Sequence, residues 1–355
     1  MSSKEFHSST ESNKPKPPPD SLNETQLLTI SRLFVGLSLK DGILKNALRQ
    51  CATVTPGHYH YYVQHYSDSP PSEDEQYVTR EANFSTYNLI TLFLNDAEIA
   101  SLGKLVSVGY KPDTDVLEDN EFSHLASDLS VPTVYHHYVV GAVGAGKSTV
   151  VSHLRDLVTH DEWVEDRLPE LAEVFTSLDA DAKQKDKKKH IDDWIAQQFR
   201  EKNHILLDEK VGLIVSDRCP LDPLVFTDAK EWQEKAKFLL KHVCPGKDTS
   251  LVSGHIILLI DDPQVLDLRV RRTNKQYRAN ELQTMQESLQ HLYSMEEMTC
   301  VDCRFRSLHD VMKEVGRIVH LTEKHSSADI NKRMLDISGG EYGPPPGVNC
   351  NEEKK

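Results

Sequence analysis

The 355-residue chain contains no apolar run near the roughly 18–20 residues that span a bilayer, which argues against a transmembrane segment. Met1 to Asp20 are polar and end in a proline cluster (Pro15, Pro17, Pro18, Pro19) with no apolar core, so no secretory signal is expected and a cytoplasmic location follows. Basic charge is also short: 41 lysines and arginines against 55 aspartates and glutamates give a net charge of -14. General attraction to nucleic acid or anionic lipid draws on neutralising phosphates, so neither is expected as a partner. Six cysteines in so long a chain are too few for a disulfide scaffold. Cys300 and Cys303 form a single CxxC with neither a second pair nor histidines at zinc spacing, and are read as ordinary thiols.

Hydrophobic residues make up 38% and charged residues 27%, the balance of a globular protein with real cores. At about 100–200 residues per domain the length suggests two domains. Residues 1–25, rich in Ser, Lys and Pro, read as a disordered leader. Residues 26–130 read as a small α/β or α+β domain. Its expected strands are Leu33 to Leu39, Tyr59 to Tyr66, Asn88 to Leu94 and Lys104 to Tyr110, with helices at Ile43 to Gln50 and Ala97 to Leu102 and a Pro/acidic loop from Ser67 to Gln76. An acidic stretch, Asp113 to Glu121, then leads to a boundary placed near Val131.

Residues 131–338 alternate strands and helices in the manner of a parallel sheet covered on both faces. Tyr138 to Val140, Leu213 to Val215, Ile256 to Ile260 and Ile318 to Leu321 are apolar without alternation, as strands buried on both sides are. Ile191, Trp194, Ile195, Gln198 and Phe199 share one helical face, as do Leu282, Met285, Leu289 and Leu292. Ser326 or Ser327 is expected to cap a last helix running to about Ile337, and residues 339–355, opening with GGEYGPPPG, read as a disordered tail.

Gly141-Ala142-Val143-Gly144-Ala145-Gly146-Lys147-Ser148 satisfies GxxxxGK[ST], with an apolar strand before it and a helix-forming segment after it. Such a loop turns backbone N–H groups and a helix amino terminus toward one anion. Lys147 would reach the β- and γ-phosphates, Ser148 would hold Mg2+, and Thr149 would bond locally or touch the α-phosphate. Downstream, Leu213 to Phe226 reads LIVSDRCPLDPLVF and puts Asp217 and Arg218 at the carboxyl end of a buried strand, the edge where open α/β sheets bind ligands. Asp217 is placed to hold Mg2+ or contact an acceptor, and Arg218 to bind an anion; the plainer alternative is a helix cap with a paired arginine. After Ile256 to Ile260, Arg269, Arg271, Arg272 and Arg278 are dense enough for a lid over phosphates, against the alternative of surface ion pairs.

Phosphate loop, DRCPLDPLVF and arginine-rich segment, in that order over about Val134 to Leu335, resemble the thymidylate-kinase and deoxynucleoside-kinase branch of P-loop kinases. The resemblance implies a P-loop NTPase fold, a five-stranded parallel sheet in the order 2-3-1-4-5 wrapped by helices, and γ-phosphoryl transfer from ATP with Mg2+ to a nucleoside or nucleotide. The chain departs from the family where Trp163-Val-Glu165-Asp166-Arg167 stands in place of a Glu-Pro, and where Gln197 and Gln198 have no arginine seven residues on. A nucleoside hydroxyl needs a carboxylate base, for which Glu165 is the candidate; a nucleotide acceptor needs cations such as Arg167 and Arg218. Gln198 is a candidate base reader, with aromatic core packing as its alternative.

The rival reading is a nucleotide-dependent switch or NTPase that controls the amino-terminal part. No guanine-reading NKxD element is evident, since Asn274-Lys275 continues with Gln276-Tyr277. A second copy of the chain is left open as a partner.

Overall fold

A computed structural model of the protein describes residues 30–109, 134–164, 183–209, 212–246, 250–273, 277–295, 297–321 and 327–345. Two parallel sheets organise them. The first joins β1 (Leu33–Phe34), β2 (His60–His65) and β3 (Leu89–Leu94) in that order, with α1 (Gly42–Val54), α2 (Glu73–Tyr87) and α3 (Asp96–Gly109) between and after them. Local signals set these helices. Asp41 caps α1 by accepting from the Ile43 amide, and Ser72 and Glu75 exchange bonds in a capping box at the start of α2. Asn88 ends α2 in a left-handed conformation (φ 52°), and its side-chain amide donates to the carbonyls of Thr55, Pro56 and His58.

The second sheet contains β4 (Val134–Gly141), β5 (Val158–His160), β6 (Gly212–Asp217), β7 (His255–Ile260) and β8 (Met298–Asp302). Its order is β5-β6-β4-β7-β8 and every pairing is parallel, the expected 2-3-1-4-5 arrangement. Around it lie α4 (Lys147–His153), α5 (Lys183–Asp208), α6 (Trp232–Val243), α7 (Pro263–Arg271), α8 (Ala279–Leu292), α9 (Leu308–Leu321) and α10 (Ile330–Gly339). Tyr138, Val139, Val140, Ile256 and Ile257 are wholly buried, as a central parallel strand covered on both faces requires.

Several expected elements differ. Of the strand expected over Leu33 to Leu39 only Leu33–Phe34 forms, and the loop expected over Ser67 to Gln76 gives way to α2 at Glu73, which the Ser72 cap starts. Lys104 to Tyr110 is not a strand: residues through Gly109 continue α3. That helix is initiated upstream, where the Asn95 side chain accepts from the Glu98 amide and Glu98 accepts from Asn95 N–H, and propagation then overrides the β-branched residues. Ile318 to Leu321 ends α9, which Ser307 and Asp310 cap reciprocally and whose apolar face is Val311, Met312, Val315 and Val319. The fifth strand is instead β8, a short edge strand in register with Ile256 to Ile260. Asp329 caps α10 by accepting from Lys332 N–H, in place of Ser327; Ser326 lies outside the described residues.

One apolar cluster runs from the larger sheet to Tyr59, Phe84 and Ile90, while Phe34, Leu44, Leu48, Tyr62 and Leu89 form a second, smaller one on the three-stranded sheet. Tyr59, at the entry to β2, stacks on Phe84 with ring centres 5.0 Å apart and donates from its hydroxyl to the Met312 carbonyl at 3.1 Å. Gly316 makes room for that ring on α9: a Cβ there would overlap the Tyr59 hydroxyl. Gly57 approaches the end of α4 so closely that a Cβ would stand 2.5 Å from the His153 carbonyl oxygen. Around this contact, Arg317 pairs with Glu81 through two bonds of 3.0 Å, and His320 Nε2 lies 3.2 Å from Asp156 Oδ2 in a buried setting.

Candidate nucleotide and phosphoryl-transfer site

The carboxyl ends of β4 and β6 lie side by side, since Val139 pairs with Asp217 and the Arg218 amide donates to the Val139 carbonyl at 3.0 Å. From β4 the chain turns through the glycine loop into α4. Gly144 (φ 83°) and Gly146 (φ 93°) hold left-handed conformations that side chains resist, and a Cβ on Gly144 would also press on Val270 at 3.0 Å. Lys147 is buried and folds back to donate to the carbonyls of Gly141 (3.0 Å) and Ala142 (3.1 Å). Burial, with Arg218 nearby, brings its pKa down to about 8, while Asp217, Asp222 and Glu162 oppose the shift.

Ser148 Oγ donates to Asp217 Oδ2 at 2.5 Å. Asp217 is fully buried, and burial raises its pKa against the pull of Lys147 and the Ser148 hydroxyl. Its other oxygen, Oδ1, is buried with no hydrogen-bond partner. A buried carboxylate oxygen without a partner beside a hydroxyl fits a divalent cation that keeps waters and phosphate oxygens as its remaining ligands. Among the described residues no group of three or more His, Cys, Asp or Glu is arranged around a metal position.

Arg218 itself has φ 70°, a strained conformation for a large side chain. Its Nε donates to Glu162 Oε1 at 2.6 Å, Nη1 lies 3.6 Å from Asp222 Oδ2, and its guanidinium sits over the Phe226 ring at 5.5 Å. Burial works against its charge, but Glu162, Asp222 and Asp217 together hold its pKa above the usual arginine range. Asp222 is held from the far side by the Tyr293 hydroxyl at 2.5 Å, and burial raises it to about 6. Arg269 donates to the Gly144 carbonyl at 3.3 Å and pairs with Asp261 at 2.8 Å. Lys147, Ser148, Glu162, Arg218, Arg269 and Arg306 all border one cavity of about 480 Å3.

The structure thus brings Gly144, Ala145, Gly146, Lys147, Ser148, Thr149, Val143, Arg218 and Arg269 to one cavity, with Asp217 reached through Ser148. Gly141 and Ala142 serve it by accepting from Lys147. Arg272 ends α7, and Arg278 opens α8 with its amide bonded to Glu281; both are exposed and border no part of this cavity. Arg271 is tied to Asp267 on its own helix. Gln198 is buried, and its Oε1 accepts from the Val164 amide at 2.9 Å, so it braces the segment after β5. Glu165 and Arg167 lie outside the described residues.

Four residues were not singled out from sequence: Glu162, Asp222, Lys202 and Arg306. Glu162 stands three positions before the carboxylate that was, and a correct end for the short β5 at His160 would have pointed to it. Lys202 follows Gln198 by one helical turn on the buried face of α5, which the stripe from Trp194 through Gln198 extends to reach.

A family model described as an AAA domain matches residues 136–308. The fold is similar to that of a thymidylate kinase from Candida albicans, at 13% identity and a TM-score of 0.39, covering 55% of this chain and 95% of that one. It is also similar to a shikimate kinase from Acinetobacter baumannii in complex with shikimate, at 14% identity and TM-score 0.30, covering 53% of this chain and 92% of that one. A deoxyadenosine kinase from M. mycoides with bound dCTP is similar at 15% identity and TM-score 0.36, covering 53% of this chain and all of that one (100%). A comparison with curated protein sequences finds no match. The glycine loop between β4 and α4 lies in a parallel sheet of order 2-3-1-4-5, within the region, residues 136–308, that the AAA-domain model matches.

Proposed function

We propose that the protein transfers the γ-phosphoryl group of ATP, with Mg2+, to a nucleoside or nucleoside monophosphate. One observation carries this reading: the phosphate loop, the Ser148–Asp217 bond and the Glu162–Arg218 pair converge on a single cavity. Backbone N–H groups of the loop and the amino end of α4 bind the phosphates, and Lys147 leaves its carbonyl partners for them. Ser148 and Asp217 are the residues that would hold Mg2+, which when bound neutralises phosphate charge. Arg218, fixed between Glu162 and Asp222, and Arg269, which borders the same cavity, offset charge that grows on the transferring group. Glu162 borders the cavity and is placed to take the proton of an acceptor hydroxyl; Glu165 keeps the same assignment from sequence alone. A small-molecule acceptor, with no nucleic acid or membrane involved, and a cytoplasmic location complete the reading; no helix among the described residues is long and apolar enough to cross a membrane.

A second reading has its own observation. The end of α4, whose beginning carries Lys147, touches Gly57 beside the three-stranded sheet, so nucleotide binding in a switch would act on that sheet directly. ADP release measured with and without a panel of nucleosides and monophosphates separates the two. Acceptor-dependent release supports transfer, and slow release indifferent to acceptor supports the switch.

A further inference from the structure

The helix α5 grips the back of the site at two points one turn apart. Gln198 accepts from Val164 N–H, and Lys202 Nζ donates to the main-chain carbonyls of Glu162 at 3.0 Å and Asp217 at 2.8 Å. Glu162 follows β5, and Asp217 is the last residue of β6, its paired neighbour. The side chains of these two residues point their chemistry in different directions: Glu162 holds Arg218, and Asp217 holds Ser148 of the phosphate loop. One ammonium therefore bridges, just beyond the β5–β6 ladder, the backbone that carries the carboxylate facing Arg218 and the backbone that carries the carboxylate facing Ser148.

Lys202 is 2% exposed, and taking an ammonium out of water is costly unless its donors are used. An apolar side chain in the same slot beside Phe199, whose ring is 5.9 Å from Nζ, would leave the Glu162 and Asp217 carbonyls without this donor. The charge of Lys202 is felt by Asp217, Glu162 and Asp222 and repelled by Arg218, and burial lowers its pKa to about 8, so it is still mainly charged at neutral pH. It is not among the residues that border the cavity.

We propose that Lys202 is a positioning residue: it clamps the Glu162 and Asp217 backbones so that Arg218 and the Ser148–Asp217 pair face the same phosphate. The proposal deepens the phosphoryl-transfer reading and rests on it for its kinetic consequence, but the clamp itself is testable without turnover.

Hydrogen exchange on the full-length protein tests the clamp. In Lys202→Met, amides of residues 159–164 and 214–219 exchange about tenfold faster or more, while 147–153 and the three-stranded sheet keep wild-type rates. Lys202→Gln, which retains one donor pair, falls between, and carries the comparison should the methionine variant fail to fold. Unchanged protection in both segments overturns the proposal. Kinetics test the consequence: with an acceptor found in the panel, kcat falls about 10- to 100-fold while the ATP dissociation constant moves less than about threefold. Loss of ATP affinity as large as the loss of kcat also overturns it, since that would mean general collapse of the site. Methylammonium restores part of the rate of Lys202→Ala and tetramethylammonium, which has no N–H, does not; equal rescue by both counts against the clamp. Wild-type protein without acceptor-dependent turnover sinks the transfer reading, and the exchange data then still decide the clamp.

Discussion

Ser148 Oγ donates to Asp217 Oδ2 across 2.5 Å, so the phosphate loop and the tip of β6 are joined by a side-chain bond at the point where a cation fits. A cation there would replace the hydroxyl proton's contact with its own to both oxygens. Ser148→Ala and Asp217→Asn should each raise the Mg2+ concentration for half-maximal activity roughly tenfold or more. Titration of ADP release against Mg2+ checks this, and an unaltered midpoint in both variants removes these residues from the cation site.

Lys147 is the most direct test of the proposed nucleotide site. Lys147→Ala should lower phosphoryl transfer about 100- to 1,000-fold, because it removes a preorganised charge from the transition state. A variant that works as fast as the wild type refutes the assignment.

Asp222 supplies a pH signature. Its folded pKa, about 6, is above the ordinary 3.8, so between those values the folded state holds a proton that the unfolded chain has lost. Stability from this group is therefore fully present below about pH 4 and is lost as pH rises through 6, by something on the order of 3 kcal/mol. Asp222→Asn, always neutral, lacks that loss. Urea unfolding of both proteins from pH 4 to 7 should show wild type declining relative to the variant, and parallel curves would contradict the burial argument.

Gly316→Ala should destabilise the whole protein by about 1–3 kcal/mol, because the new methyl group has to displace the Tyr59 hydroxyl from its bond to Met312. Denaturant midpoints measure it; a neutral substitution would show that the Tyr59 contact is loose.

Sequence reading succeeded where one short segment carries its own geometry. The glycine loop needs only a strand before it and a helix after it, and Tyr138 to Val140, Leu213 to Val215 and Ile256 to Ile260 are apolar without alternation because both faces are covered. It failed where an element is decided elsewhere. Ile318 to Leu321 look like a strand alone, yet Ser307 and Asp310 had already started a helix ten residues upstream. Glu162, Asp222 and Lys202 were missed because their partners are far along the chain: Lys202 meets Glu162 across 40 residues, and Tyr293 meets Asp222 across 71. Arg272 and Arg278 were credited for density of charge, which says nothing about the direction a helix turns them.

The Tyr59 ring seated on Gly316 has a practical consequence for anyone wishing to shorten the polypeptide. A fragment beginning at Val134 would keep every strand of the larger sheet but bare the slot on α9 that Tyr59 and Phe84 now fill, leaving sticky surface in water. A piece expressed for solubility should therefore keep Tyr59 and Phe84 with α9, and a cut between the sheets should yield precipitate instead of a working half.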